Sequence, residues 1–128
     1  MSDQCLYALA NHNKITSLYL NNTQVAPLKL KQLPDPDWLR IGETGITDEG
    51  VRHLAEFRSL SHLELAGTNI SDTGLSHLKA AKQIWMLNLC RTKITNSGMV
   101  HLAAMNNLQH LYLDGTAITD ASLKHLRR

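Results

Sequence analysis

Four histidines, His53, His77, His101 and His125, recur every 24 residues, and imidazole is the commonest metal ligand. A structural metal site draws about four ligands to one point. One histidine per unit makes a line instead, on helices ~8–10 Å apart. The row therefore predicts lateral packing or hydrogen bonding between units. Thr23, Thr44, Thr68, Thr92 and Thr116 form a second row. As nucleophiles they lack an activating base; as turn residues their hydroxyls can bond the backbone of the turn and of the neighbouring unit. Asp48, Asp72 and Asp120, with Asn96 in the same place, stand one turn ahead of helical stripes. An oxygen there accepts from the first free N–H groups, so these are expected to be helix N-caps, a duty that Thr47, Ser71, Thr95 and Thr119 can share. His62 with Glu64, and His110 with Tyr112, are neighbours at i, i+2, and Cys90 is a lone thiol beside Arg91. No nucleophile with an orienting base, no P-loop and no Cys-x-x-Cys is present. The expectation is no enzyme: no catalytic residue, no metal ligand and no cofactor site.

These rows are products of a repeat. Shifting the chain by 24 aligns LSHLELAGTNISDTGLSHLKAAKQ (60–83) with IWMLNLCRTKITNSGMVHLAAMNN (84–107). PDWLRIGETGITDEGVRHLAEFRS (36–59) fits before them and the truncated LQHLYLDGTAITDASLKHLRR (108–128) after them, with Pro36 for the first leucine and Ser122 for the glycine. The frame is L-x-x-L-x-L-x-x-T-x-I-T/S-D/N-x-G-L-x-H-L. In L-x-L, alternation puts Leu63 and Leu65 on one face and Glu64 on the other. Leu75, Leu78 and Ala81 then share one stripe of a helix. No unit can bury its apolar face alone.

This pattern resembles the leucine-rich repeat, in its cysteine-containing and bacterial variants, with threonine where those often place cysteine or asparagine. The resemblance implies an α/β fold: a right-handed solenoid with a parallel sheet of about five strands on the concave side and helices on the convex side. It also implies that function lies with the residues that do not repeat.

Two partial units complete a single domain over 1–128. KITSLYLNNTQV keeps the strand half of a short repeat, 15–35, and APLKLKQLPDP, with Pro27, Pro34 and Pro36, predicts an extended or 3₁₀ connection. SDQCLYALANHNKI aligns on TDEGVRHLAEFRSL, so 1–14 is expected to be a helix half-repeat that caps one end. The other end, near Leu111, is expected to leave an open strand edge.

Outward strand positions fall into columns: Ser17, Trp38, His62, Met86, His110; then Tyr19, Arg40, Glu64, Asn88, Tyr112; then Asn21, Gly42, Ala66, Cys90, Asp114; then Asn22, Glu43, Gly67, Arg91, Gly115. Rows about 4.8 Å apart make one continuous patch. It combines mixed charge with Trp38, Tyr19, Tyr112 and Met86, types enriched at interface centres, and Trp85 stands at its flank. The expected binding residues are Tyr19, Trp38, Arg40, His62, Glu64, Met86, Asn88, Arg91, His110, Tyr112 and Asp114, and the expected partner is a protein or peptide. The alternative is association through the open C-terminal edge, as self-association or as part of a longer array. Thirteen basic and eleven acidic residues, scattered to a net charge of +2, give no basic stripe for nucleic acid. No run approaches the ~20 apolar residues of a membrane span. Two cysteines and no signal-like start point to a cytoplasmic protein.

Overall fold

A computed structural model describes residues 15–25 and 27–126. The opening half-repeat, 1–14, lies outside the described residues, as does the side chain of His125.

Each L-x-L becomes a short strand: β1 Ser17–Tyr19, β2 Trp38–Arg40, β3 His62–Glu64, β4 Met86–Asn88 and β5 His110–Tyr112. All five join one parallel sheet in chain order. Register follows from the repeat: Leu39, Leu63, Leu87 and Leu111 pair in succession at a spacing of 24. Leu18 pairs with Leu39 across the shortened unit. The missing residues come out of the return segment, a 3₁₀ helix at Pro27–Gln32 that Pro34 and Pro36 prevent from continuing. The other returns carry helices: α1 Asp48–Leu54, α2 Asp72–Leu78, α3 Met99–Ala103 and α4 Asp120–Leu123. A 3₁₀ turn, Asn96–Gly98, leads into α3, and another, Lys124–Leu126, follows α4. This is the leucine-rich-repeat solenoid, with the sheet on its concave side.

The core is a set of columns along the solenoid axis. Leu39, Leu63 and Leu87 are fully buried, as are Ile41, Leu65 and Leu89, then Ile46, Ile70 and Ile94, and on the helix side Val51, Leu75 and Met99. Each such burial contributes about 1.5–3 kcal/mol, and each needs the coils on both sides. The last coil lacks one neighbour among the described residues, so Leu108, Leu111, Leu113, Ile118 and Leu126 are only partly buried.

The polar rows hold the coils together, not all in the expected way. Each threonine hydroxyl donates to the carbonyl three residues back in its own turn, at 2.6–2.7 Å for Thr23, Thr44, Thr68, Thr92 and Thr116. None of these bonds reaches the neighbouring coil. The N-caps are Thr47, Ser71 and Thr95, whose hydroxyl oxygens accept from Gly50, Thr73 and Ser97. The aspartates, expected as caps, do something else. Asp48 accepts from the Ser71 N–H at 2.8 Å and its hydroxyl at 2.5 Å, and Asp72 accepts from the Thr95 N–H and hydroxyl at 2.9 and 2.5 Å. Asn96 accepts from the Thr119 N–H at 2.9 Å and donates to its hydroxyl. Each coil is thus bolted to the next through the cap residue of that next coil. The repeated glycine provides the room: a Cβ on Gly98 would overlap Asp72 Oδ1 and stand 3.1 Å from its Cγ. Where Ser122 replaces the glycine, its hydroxyl joins the bolt and donates to Asn96 Oδ1 at 2.7 Å. Of the histidine row, His53 is buried, and neither of its ring nitrogens has a hydrogen-bond partner among the described residues.

Candidate functional site

Three-residue strands alternate strictly, so the central leucine points inward and its neighbours outward. Ser17, Trp38, His62, Met86 and His110 are therefore in register, and so are Tyr19, Arg40, Glu64, Asn88 and Tyr112. The two columns run side by side across the sheet. All eleven residues singled out from the sequence lie on this face or on the turns leaving it. Tyr19 and Tyr112 are the exposed large hydrophobic side chains of this face, at 60% and 47%.

Along the first column the rings form a row that the sequence hid. Trp38 stacks on His62, centroids 4.5 Å apart and 18° between planes. Trp85, placed at the flank by its sequence position, lies in line with them: its ring is 4.4 Å from His62 at 71° and 5.3 Å from His110 at 60°. The indole fills the space between two histidines that the repeat sets two rows apart. The signal was present in its position, one residue before β4, but nothing in strand alternation assigns that position to the row.

Four charged residues of the face are paired with one another. Arg40 Nε donates to Glu64 Oε2 at 2.8 Å, and the same guanidinium lies 5.5 Å from the centre of the Tyr19 ring. Arg91 Nη2 meets Glu43 Oε1 at 2.6 Å. That second pair spans two coils by passing over Gly67, whose missing Cβ would sit inside the Glu43 carboxylate. Its backbone is unusual as well. Asn22, Glu43, Gly67, Arg91 and Gly115 are all left-handed, with φ from 52° to 77°. Glycine and asparagine visit that region readily; Glu43 and Arg91 hold it against a steric cost that concentrates at sites of function.

Ser61 and His62 also form a pair, Oγ to Nδ1 at 2.8 Å. Its surroundings differ from those of a hydrolytic triad. The Ser61 hydroxyl has the Asp37 carbonyl within 3.1 Å as a competing acceptor, and Glu64, on the same strand as His62, is bonded to Arg40. Among the described residues no hydrogen bond to its other ring nitrogen orients the imidazole as a base. Cys90 is a half-buried free thiol whose backbone N–H is bonded to Asn88 Oδ1. Among the described residues no three histidine, cysteine or acidic side chains are grouped to hold a metal ion. No helix among them is long and apolar enough to cross a membrane.

The leucine-rich-repeat family model matches residues 58–79. No curated protein sequence matches the chain. Among solved structures, internalin C2 from Listeria monocytogenes str. 4b F2365 is similar at a TM-score of 0.66 and 23% identity, covering 98% of this chain and 61% of that one. An internalin (inlF) from the same strain aligns at a TM-score of 0.47 and 21% identity, over 91% of this chain and 47% of that one. The chain thus spans about half to three fifths of the length of these structures. At such identities the likeness concerns the fold, and the lower-scoring match adds nothing to it.

Proposed function

We propose that this leucine-rich-repeat protein is a non-enzymatic interaction module that holds a protein or peptide against the concave face of its sheet. The observation that carries the reading is the contrast between frame and face. The repeated leucines, threonines and aspartates are accounted for by the core, the turns and the bolts between coils, whereas the outward columns change from each row to the next and gather Tyr19, Trp38, His62, Met86, His110 and Tyr112. Aromatic, methionine and arginine side chains are the types that dominate interface energetics. The paired charges, Arg40 with Glu64 and Arg91 with Glu43, hold long side chains in fixed positions before a partner arrives, which lowers the ordering cost of binding. Replacing Arg40, Met86 and Tyr112 together by alanine abolishes partner capture on this reading while leaving the fold intact.

A second reading has its own support. Among the described residues the strand β5 is paired on one side only, and beside it Leu108, Gln109, Leu111 and Leu126 line a cavity of about 180 Å³. Asp120 occupies the position from which Asp48 and Asp72 bolt the following coil. A strand added to β5 would cover this edge. Capture that survives the triple substitution but is lost when a charge replaces Leu113 favours the edge over the face.

A further inference from the structure

A cavity of about 490 Å³ lies where the chain enters β4 and β5 and is lined by Gln83, Trp85, Asn107 and Gln109. Its volume falls in the range of small-ligand sites, about 300–1,000 Å³. The four residues are two repeat-equivalent pairs, Gln83 with Asn107 and Trp85 with Gln109, each 24 apart. The preceding coil carries only Ser59 and Ser61 there, so the repeat frame does not require this set.

The lining is pre-positioned. Gln83 Nε2 donates to the Phe57 carbonyl at 2.6 Å and Asn107 Nδ2 to the Lys82 carbonyl at 2.8 Å. Each bond reaches back a whole coil and fixes the amide plane, and each amide retains an acceptor oxygen and a second N–H. The carbonyl of Trp85 accepts both the Gln109 and His110 N–H groups, at 2.8 and 2.9 Å, which sets Gln109 beside the indole. The indole itself packs between His62 and His110, its plane inclined by 71° to one imidazole and 60° to the other.

The chemistry of the lining selects a ligand class. None of the four side chains is charged, so an ionic group entering here would lose hydration without a counter-charge. Three amides offer donors and acceptors side by side, which matches hydroxyl groups that need both at once. An aromatic face next to them suits a ring with an apolar C–H surface. We propose that this pocket binds a neutral pyranose, with Trp85 packing on the C–H face of the sugar ring and Gln83, Asn107 and Gln109 bonding its hydroxyls. The site shares Trp85 with the ring row of the strand face, but its sugar chemistry does not depend on the protein-binding reading. Its sugar is either a free oligosaccharide or a neutral glycan carried by a partner.

Saturation-transfer NMR of the full chain with cellopentaose, maltopentaose, mannopentaose and N-acetylchitopentaose tests it, with a neutral N-glycoprotein before and after enzymatic removal of its glycans as a further arm. The expected result is transfer to the ring C–H protons of at least one of these probes, from millimolar sugar upward. Binding to the glycoprotein that is lost on deglycosylation, with weaker binding of the free sugars, identifies the glycan as the source. Gln109→Ala, an exposed position outside the core, weakens binding about three- to tenfold, the loss of one neutral hydrogen bond. Trp85→Ala abolishes it, and Trp85→Phe, which keeps an aromatic ring at that position, restores part of it. Absence of transfer to every sugar and to the intact glycans overturns the proposal, as does binding that is unchanged in Gln109→Ala and Trp85→Ala.

Discussion

Alanine at Gly98 reverses the usual effect of such a substitution. The residue has φ −77° and ψ −14°, right-handed helical values open to any amino acid. In that setting glycine to alanine ordinarily stabilises by about 0.5–1 kcal/mol through reduced backbone freedom. Here the new Cβ overlaps Asp72 Oδ1 and comes within 3.0 Å of Leu75 Cδ1. The leucine tip can turn aside, but the carboxylate is held by the Thr95 N–H at 2.9 Å and hydroxyl at 2.5 Å. To admit the methyl group it must give up one or both bonds. Hydrogen bonds to charged groups contribute about 1.5–3 kcal/mol each, and because Thr95 is exposed, water recovers part of that. The net expectation is a loss of about 1–2 kcal/mol after the backbone gain is included. Urea unfolding followed by circular dichroism measures it. In an Asp72→Ala background the obstacle is gone, and the same substitution should stabilise by about 0.5 kcal/mol. The sign change between backgrounds is a coupling that a double-mutant cycle isolates. Stabilisation by Gly98→Ala with Asp72 present, or an equal effect in both backgrounds, refutes the assignment of the aspartates as bolts between coils.

Further outcomes follow from the same structure. Leu63→Ala in the middle of the core should cost about 2–5 kcal/mol, and Leu111→Ala distinctly less because the last coil leaves that side chain partly exposed; urea midpoints compare them. Arg91→Gly should be neutral or stabilising by up to about 1 kcal/mol. It relieves a left-handed φ of 55°, while the exposed pair with Glu43 contributes only ~0–1 kcal/mol. Arg91→Ala, which keeps the strain and loses the pair, should not stabilise. His53→Leu should raise the thermal midpoint, because an imidazole buried without a hydrogen-bond partner carries an uncompensated desolvation cost of about 1–3 kcal/mol.

Sequence periodicity reached the fold in detail because both of its components are geometric. A 24-residue spacing with L-x-L inside it leaves one parallel register, and the columns of Trp38, His62, Met86 and His110, and of Arg40, Glu64, Asn88 and Tyr112, are the observed ones. The shortened unit ending in Pro34 and Pro36 gave its 3₁₀ return for a similarly local reason. What remained hidden depends on contacts between coils. An aspartate one turn ahead of an apolar stripe fits a cap and a lateral acceptor equally well, and only the next coil decides between them. The left-handed column is signalled by Asn22, Gly67 and Gly115 and contradicted by Glu43 and Arg91. Trp85 lies outside the strand, so alternation says nothing about its ring. The amides around it fall at spacings that also suit plain surface residues.

Site-specific photo-crosslinking tests the central claim most directly. A photoreactive side chain at position 86 or 112, on the strand face, and at position 79 or 100, on exposed helix-side positions, is irradiated in a lysate of the native organism. The account predicts one protein or peptide adduct from positions 86 and 112, lost when Arg40 and Trp38 are replaced by alanine, and no common adduct from 79 and 100. Crosslinks to that partner from 79 and 100 with none from 86 and 112 would contradict it.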